Sequence, residues 1–152
     1  MRTAPFTLNW GAKVYAKILG YNIFGNSAVS DEGFDAFILT YPDAPTRLKE
    51  TAELRTKTSI TFSWSDGASD GGSPIIDYRV NFDQSLASYV VRATGVTSKL
   101  FTVNGLTTGL TYKFKVESRN SFDYSAMSEE IAIICATNPS VPLAPTTANL
   151  ND

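Results

Sequence analysis

The chain of 152 residues contains no histidine and a single cysteine, Cys135. Without histidine it lacks the side chain most often used as an acid–base catalyst or metal ligand near neutral pH. Serines are plentiful, but none has an imidazole to activate it. Cys135 closes the apolar run Ile131-Ala132-Ile133-Ile134, with no basic residue beside it to stabilise a thiolate. It reads as a small buried hydrophobe, and one thiol alone permits no intrachain disulfide, which fits either redox compartment. No catalytic constellation and no cofactor motif is present, so enzymatic activity is not expected.

A dominant charge is missing as well. Thirteen basic residues face fifteen acidic ones, for a net charge of −2. The basic residues are scattered and form no row of cations that could neutralise phosphates, which argues against nucleic acid as a partner. No apolar run approaches the roughly 20 residues of a membrane-spanning helix. Met1-Arg2-Thr3-Ala4-Pro5 lacks the apolar core of a signal peptide, so Met1 is expected to be an added start. No Asn-x-Ser/Thr glycosylation sequon occurs either. The hydrophobic content of 43% is ordinary for a folded chain. The length allows one domain, or one domain with fragments of its neighbours.

What is present is a repeat. Gly11-Ala12-Lys13-Val14-Tyr15-Ala16-Lys17-Ile18 is echoed by Gly109-Leu110-Thr111-Tyr112-Lys113-Phe114-Lys115-Val116, and Asn22 to Ser30 is echoed by Asn120 to Ser128, both at an offset of 98 residues. Ala44-Pro45-Thr46 returns as Ala144-Pro145-Thr146. A period near a hundred residues is domain-sized and points to a tandem array rather than a solenoid.

Alternation of period two dominates the rest. Ile60, Phe62 and Trp64 alternate with Ser59, Thr61 and Ser63, as a half-buried strand requires. The same holds for Ile76, Tyr78, Val80 and Phe82, and again for Tyr112, Phe114 and Val116. Asp66 to Pro74 is a turn-rich loop, and Asn104-Gly105 and Thr108-Gly109 bracket another turn. No segment carries a sustained helical stripe. The expected fold is an all-β antiparallel sandwich.

Ala44-Pro45, Ile60-x-Phe62-x-Trp64, Asp70-Gly71-Gly72-Ser73-Pro74-Ile75, Tyr78-x-Val80 and Leu106-x-x-Gly109-x-x-Tyr112-x-Phe114-x-Val116-x-x-x-Asn120 together resemble a fibronectin type III domain from residue 44 to about 139. The resemblance implies seven strands in two antiparallel sheets, of the immunoglobulin-like kind. They would be A near 46–53, B 58–65, C 75–83, C′ 87–93, E 99–104, F 111–120 and G 129–137. It also makes Trp64, Tyr78, Leu106, Gly109 and Tyr112 structural. Leu106 to Tyr112 would form a tyrosine corner, whose phenol hydroxyl bonds backbone a few residues upstream.

On this reading residues 1–41 supply strands E to G of a preceding domain, 42–45 are a linker, and 46–139 are one complete domain. Residues 140–152 are then a further linker and the first strand of a following domain. Val14 stands at the corner position of the first copy, with Tyr15 on the opposite face, so that copy lacks the corner or uses Tyr15 after a one-residue slip. Phe6, Leu8, Val14, Ile18 and Phe24 would need partner strands absent from this sequence. The chain is then a segment of a longer array, or another chain completes residues 1–41 by strand addition.

Three loops, around Asp66–Pro74, Thr94–Ser98 and Ser121–Ser125, should gather at one end of the sandwich. Phe122, Tyr124 and Asp123 are the candidate protein-binding residues there, exposed aromatics being common interface anchors. Contact with a neighbouring domain is the expected role of Phe122, since Phe24 holds the same repeat position. Asp123 falls where the first copy has Gly25, an expected φ > 0 site, which predicts a neutral or stabilising Asp123→Gly change. Lys113, Lys115, Glu117 and Arg119 read as a solvated face with weak ion pairs. Asp66, Asp70 and Asp77 bear a faint likeness to a calcium loop, but the alternate acidic spacing is absent and a turn is the expected role.

The resemblance implies a non-enzymatic structural and adhesion module, a spacer and interaction scaffold in a large tandem protein. No Arg-Gly-Asp tripeptide supports integrin-type adhesion. The alternatives are a specific protein-recognition module and an accessory domain of a secreted polysaccharide-degrading enzyme. Its partners would be proteins, with no cofactor, metal or membrane insertion. Localisation would be extracellular or at the cell surface, alternatively in an intracellular cytoskeletal scaffold.

Overall fold

The computed structural model of the protein describes residues 8–84, 86, 88–137, 142 and 143. Its first part is a long hairpin. Strand β1 (Lys13–Ala16) pairs with β4 (Gly33–Phe37), and β2 (Tyr21–Asn22) pairs with β3 (Gly25–Asn26). A bulge between Val14 and Ala16 lets the register shift. Tyr15 stays exposed while Val14 is half-buried, so neither residue builds a tyrosine corner in this copy.

Seven strands follow: β5 (Thr46–Glu50), β6 (Ser59–Ser65), β7 (Asp77–Phe82), β8 (Val90–Val96), β9 (Leu100–Asn104), β10 (Thr111–Arg119) and β11 (Ile131–Ile134). They form two antiparallel sheets, ordered β5-β6-β9 and β11-β10-β7-β8. Among the described residues the sole helix is a 3-10 turn at Ala52–Leu54. The fold is the expected all-β sandwich.

Its core follows from the alternation. Ile60, Phe62 and Trp64 of β6 are buried against Tyr112, Phe114 and Val116 of β10 and Tyr78 and Val80 of β7. Phe62 stacks on Phe114 across the two sheets with ring centroids 4.8 Å apart, and Trp64 meets the edge of Tyr78 at 5.3 Å. The corner is built as well: the Thr107 N–H donates to the Tyr112 hydroxyl at 2.9 Å, beside buried Leu106. Gly109, at φ +86°, donates its N–H to the Cys135 carbonyl at 2.7 Å. Only a residue free of a Cβ adopts that φ without strain.

Three expectations fail locally. Strand β7 starts at Asp77, and Ile76 is exposed while Ile75 packs on the core, although the Ile76 N–H already donates to the Arg119 carbonyl of β10 at 2.7 Å. Strand β8 lies three residues later than expected at each end, Val90–Val96, and two register shifts against β7 accommodate it. On the outer face of β6, Ser59 and Thr61 are buried while Ser63 and Ser65 are half-buried, since the strand runs between β5 and β9, and the Thr61 hydroxyl meets the Thr102 hydroxyl at 2.9 Å.

The two sides of this picture predict a contrast. Phe114→Ala should lower stability by about 3–5 kcal/mol, whereas Ile76→Ala should stay within about 0.5 kcal/mol of the parent. Urea unfolding followed by tryptophan fluorescence measures both; a large loss at Ile76 would mean that it belongs to the core.

Candidate functional site

One end of the sandwich gathers the loops between β6 and β7, β8 and β9, and β10 and β11. The first holds Gly71 and Gly72 at φ +74° and +90°, a turn closed by the Gly71 N–H donating to Ser69 Oγ (3.1 Å) and the Gly72 N–H to Asp70 Oδ1 (2.9 Å). Lys99, from the second loop, donates to Asp66 Oδ2 at 2.6 Å, and the Tyr78 hydroxyl donates to Asp66 Oδ1. Ser121, from the third, bonds Ser73 Oγ at 2.7 Å. Asp66, Asp70 and Asp77 are thus committed to three separate tasks, and among the described residues no group of carboxylates and thiols converges as a metal site.

Asn120 organises the third loop. Its Oδ1 accepts the N–H groups of Phe122 (2.9 Å) and Asp123 (3.1 Å), while its Nδ2 donates to the carbonyls of Asp70 (2.7 Å) and Thr40 (2.8 Å). The candidate residues are placed differently from one another. Phe122 is half exposed and meets Tyr41 edge-on, centroids 4.9 Å apart. Tyr124 is half-buried under the Arg79 guanidinium, which lies 4.0 Å above its ring, so that face is not offered to a partner. Asp123 is not in the left-handed region; among described non-glycine residues only Asp35, Arg47 and Gln84 have positive φ. The two amide bonds to Asn120 Oδ1 set this turn instead, and Asp123 Oδ1 accepts the Tyr124 N–H at 2.7 Å.

The outward face of β10 is also different from the solvated surface expected. Glu117 and Asp77 are both 5% exposed. Arg79 grips Glu117 with two bonds of 2.6 and 2.7 Å, Asn81 adds a third of 2.8 Å, and Arg119 grips Asp77 the same way. The pairs lie directly opposite in the β7–β10 register. A buried carboxylate needs such a partner, since a lone one would cost several kcal/mol. Cys135 is buried, donates its thiol to the Lys57 carbonyl at 3.3 Å, and has its pKa pushed up by burial.

The hairpin before the sandwich repeats the bonding near the tip of its last hairpin, although the β1–β4 register (Val14 opposite Ala36) is one residue off that of β10–β11 (Tyr112 opposite Ile133). Val116 and Ser118 donate their N–H groups to Ser128 Oγ (3.0 Å) and Ser125 Oγ (3.1 Å); 98 residues earlier, Ile18 and Gly20 donate to Ser30 Oγ (2.9 Å) and Ser27 Oγ (3.0 Å). Phe24 N–H donates to Asn22 Oδ1 at 2.9 Å, the bond that Phe122 makes to Asn120. Residues Thr40 to Asp43, which join the two, lie along the loop end. Thr40 N–H donates to Gly71 O (3.0 Å) and Asp43 N–H to Ser69 O (2.9 Å), while the Ser118 hydroxyl donates to Asp43 O (2.9 Å). Asn120 stood in the sequence only as the last residue of a motif and as the echo of Asn22, and its four bonds carried no signal of their own.

The model of the fibronectin type III domain matches residues 43–134. The chain is similar to smooth-muscle myosin light chain kinase of Gallus gallus, 29% identical over 97 residues, 64% of this chain and 5% of that protein. It is also similar to Protein turtle of Drosophila melanogaster, 32% identical over 108 residues, 70% of this chain and 7% of that one. The chain therefore spans under a tenth of the length of either relative. A crystal structure of domains from titin superposes with a TM-score of 0.67 at 24% identity, over 85% of this chain and 43% of that one, which shows the fold.

Two outcomes follow from the loop geometry. Burial pulls the Asp66 carboxyl up, but the Lys99 and Tyr78 hydrogen bonds and the Lys99 charge outweigh it and hold the group below its ordinary 3.8. A depressed folded value means that this stabilisation is complete above the unfolded pKa and is lost as pH falls through the folded one. The stability difference between the parent and Asp66→Asn should therefore hold steady well above the ordinary 3.8 and shrink as pH falls below it; a difference that stays constant into acid refutes it. Asp123→Gly should destabilise by about 0.5–1.5 kcal/mol in chemical denaturation, and equal or higher stability would restore the left-handed reading.

Proposed function

Since this chain belongs to the fibronectin type III family, we propose that it is a non-enzymatic structural module, a segment of a longer tandem array that spaces its neighbours and offers surfaces to other proteins. Residues 1–41 would be the closing half of one unit, 42–45 a linker, 46–139 a whole unit, and 140–152 the start of another. Residues 1–7 and 144–152, where strands of both partial units are expected, lie outside the described residues. The observation that carries this reading is the pair of serine–amide bonds repeated in both hairpins at an offset of 98 residues.

The inward position of the first hairpin supports it too. Ile18 is exposed, whereas Val116, its counterpart in the repeat, is wholly buried under the facing sheet. Such a position is dry only when a second sheet covers it. In an array the preceding strands of the same unit would do so. The cell surface is the compartment the resemblance implies, with an intracellular scaffold as the alternative that the smooth-muscle relative favours.

Amide hydrogen exchange on the intact chain at two concentrations tests the reading. Amides of β6, β7 and β10 should be protected at both. Exchange at Ile18 and Gly20 should not depend on concentration if the missing strands belong to the same array. Protection there that rises with concentration would overturn it in favour of strand sharing between chains.

A further inference from the structure

Short proline-containing linkers between domains limit bending by their own stiffness. Here the chain between the hairpin and the sandwich is held by something more specific. Three glycines of the β6–β7 loop sit against incoming backbone. A Cβ at Gly71 would lie 2.3 Å from the Thr40 carbonyl oxygen and 2.7 Å from that of Tyr41. At Gly72 it would lie 2.2 Å from the Gly11 nitrogen, and at Gly67 2.4 Å from Asp43 Cβ and 2.8 Å from the Ala44 carbonyl oxygen. Real Cβ atoms do not approach neighbours that closely, and here the neighbours are mostly backbone that cannot swing aside.

We infer that Gly67, Gly71 and Gly72 form a docking notch that seats the linker and the preceding hairpin in one orientation, so that the two parts of the chain move as a single body. The seam is polar along its length. Thr40 and Asp43 each donate an N–H to the loop, the Ser69 N–H donates to Asp43 Oδ2 at 3.0 Å, and Asn120 and Ser118 hold the Thr40 and Asp43 carbonyls. Its outer edge is aromatic, Tyr41 against Phe122. Pro42 and Pro45 are buried. On the hairpin side a cleft of about 200 Å³ is walled by Phe37 and Leu39 on one hand and Gly72, Ser73, Pro74 and Ser121 on the other. The inference goes beyond the array reading and does not depend on it, because every contact lies within this chain.

Glycine substitutions can separate the effect of the notch from that of backbone strain. Gly67 has an ordinary φ, so Gly67→Ala introduces the clash alone, while Gly72→Ala introduces clash and strain together. Gly105, at φ +78° with nothing within 4 Å of its would-be Cβ, gives strain without a clash. The measurement is nitrogen-15 relaxation with amide exchange on the full chain. In the parent, hairpin and sandwich amides should report one correlation time. In Gly67→Ala and Gly72→Ala, exchange at Thr40 and Asp43 should rise at least about tenfold and the hairpin should tumble separately, with β6 and β10 still protected. Gly105→Ala should leave the common tumbling intact. Should Gly72→Ala fail to fold, Gly67→Ala carries the same test. Independent tumbling in the parent, or unchanged exchange at Thr40 and Asp43 in Gly67→Ala, overturns the notch.

Discussion

The contact between Phe62 and Phe114 joins two sheets that share no backbone hydrogen bond, and the sandwich is organised around keeping it dry. Both rings are wholly buried, and Phe82 lies beyond Phe114 in a second, looser stack at 6.4 Å. Tyr112 closes one end of this interior with its corner, and Trp64 against Tyr78 closes the other, where the Tyr78 hydroxyl reaches Asp66. A core of this size leaves little surplus over the entropy of ordering the chain. Polar groups drawn inside therefore need partners, and most find one; the buried Trp64 Nε1 is an exception among the described residues.

That need explains the polar parts of the molecule. The ladder of Arg79 with Glu117 and Arg119 with Asp77 ties β7 to β10 across their outer face, with Tyr124 lying beneath Arg79. Further along β10, where no continuous β-ladder faces it, Ser125 and Ser128 supply hydroxyl acceptors to its amides. The same device, with Ser27 and Ser30, recurs in the first hairpin, which no second sheet covers among the described residues. Its recurrence there shows that these bonds are a local property of the hairpin sequence and do not require the core.

Local signals in the sequence were therefore the reliable ones. The alternation of Ile60, Phe62 and Trp64 and of Tyr112, Phe114 and Val116 marks the inward faces because period two is a property of the strand itself. Burial of Thr61, Asp77 and Glu117 was illegible, since it depends on cross-strand neighbours that only the topology brings alongside. Asp123 shows how a repeat can mislead: alignment placed it on Gly25, but the conformation there belongs to the Asn120 side chain, which takes two amides and leaves no need for a left-handed residue. Phe122 was visible as a loop aromatic, while its partner Tyr41 lies in another part of the chain altogether.

The seam along the β6–β7 loop has a mechanical consequence. Tension drawn through the chain from the hairpin reaches the bonds at Thr40 and Asp43 before it reaches β5. Those bonds join a connecting segment to a loop rather than the two halves of a sheet, so they would bear the load ahead of the sandwich. The β5–β6 pairing and the aromatic interior behind it would then be shielded from small extensions. A joint of this kind behaves as a fuse in front of the fold, yielding length first and structure last.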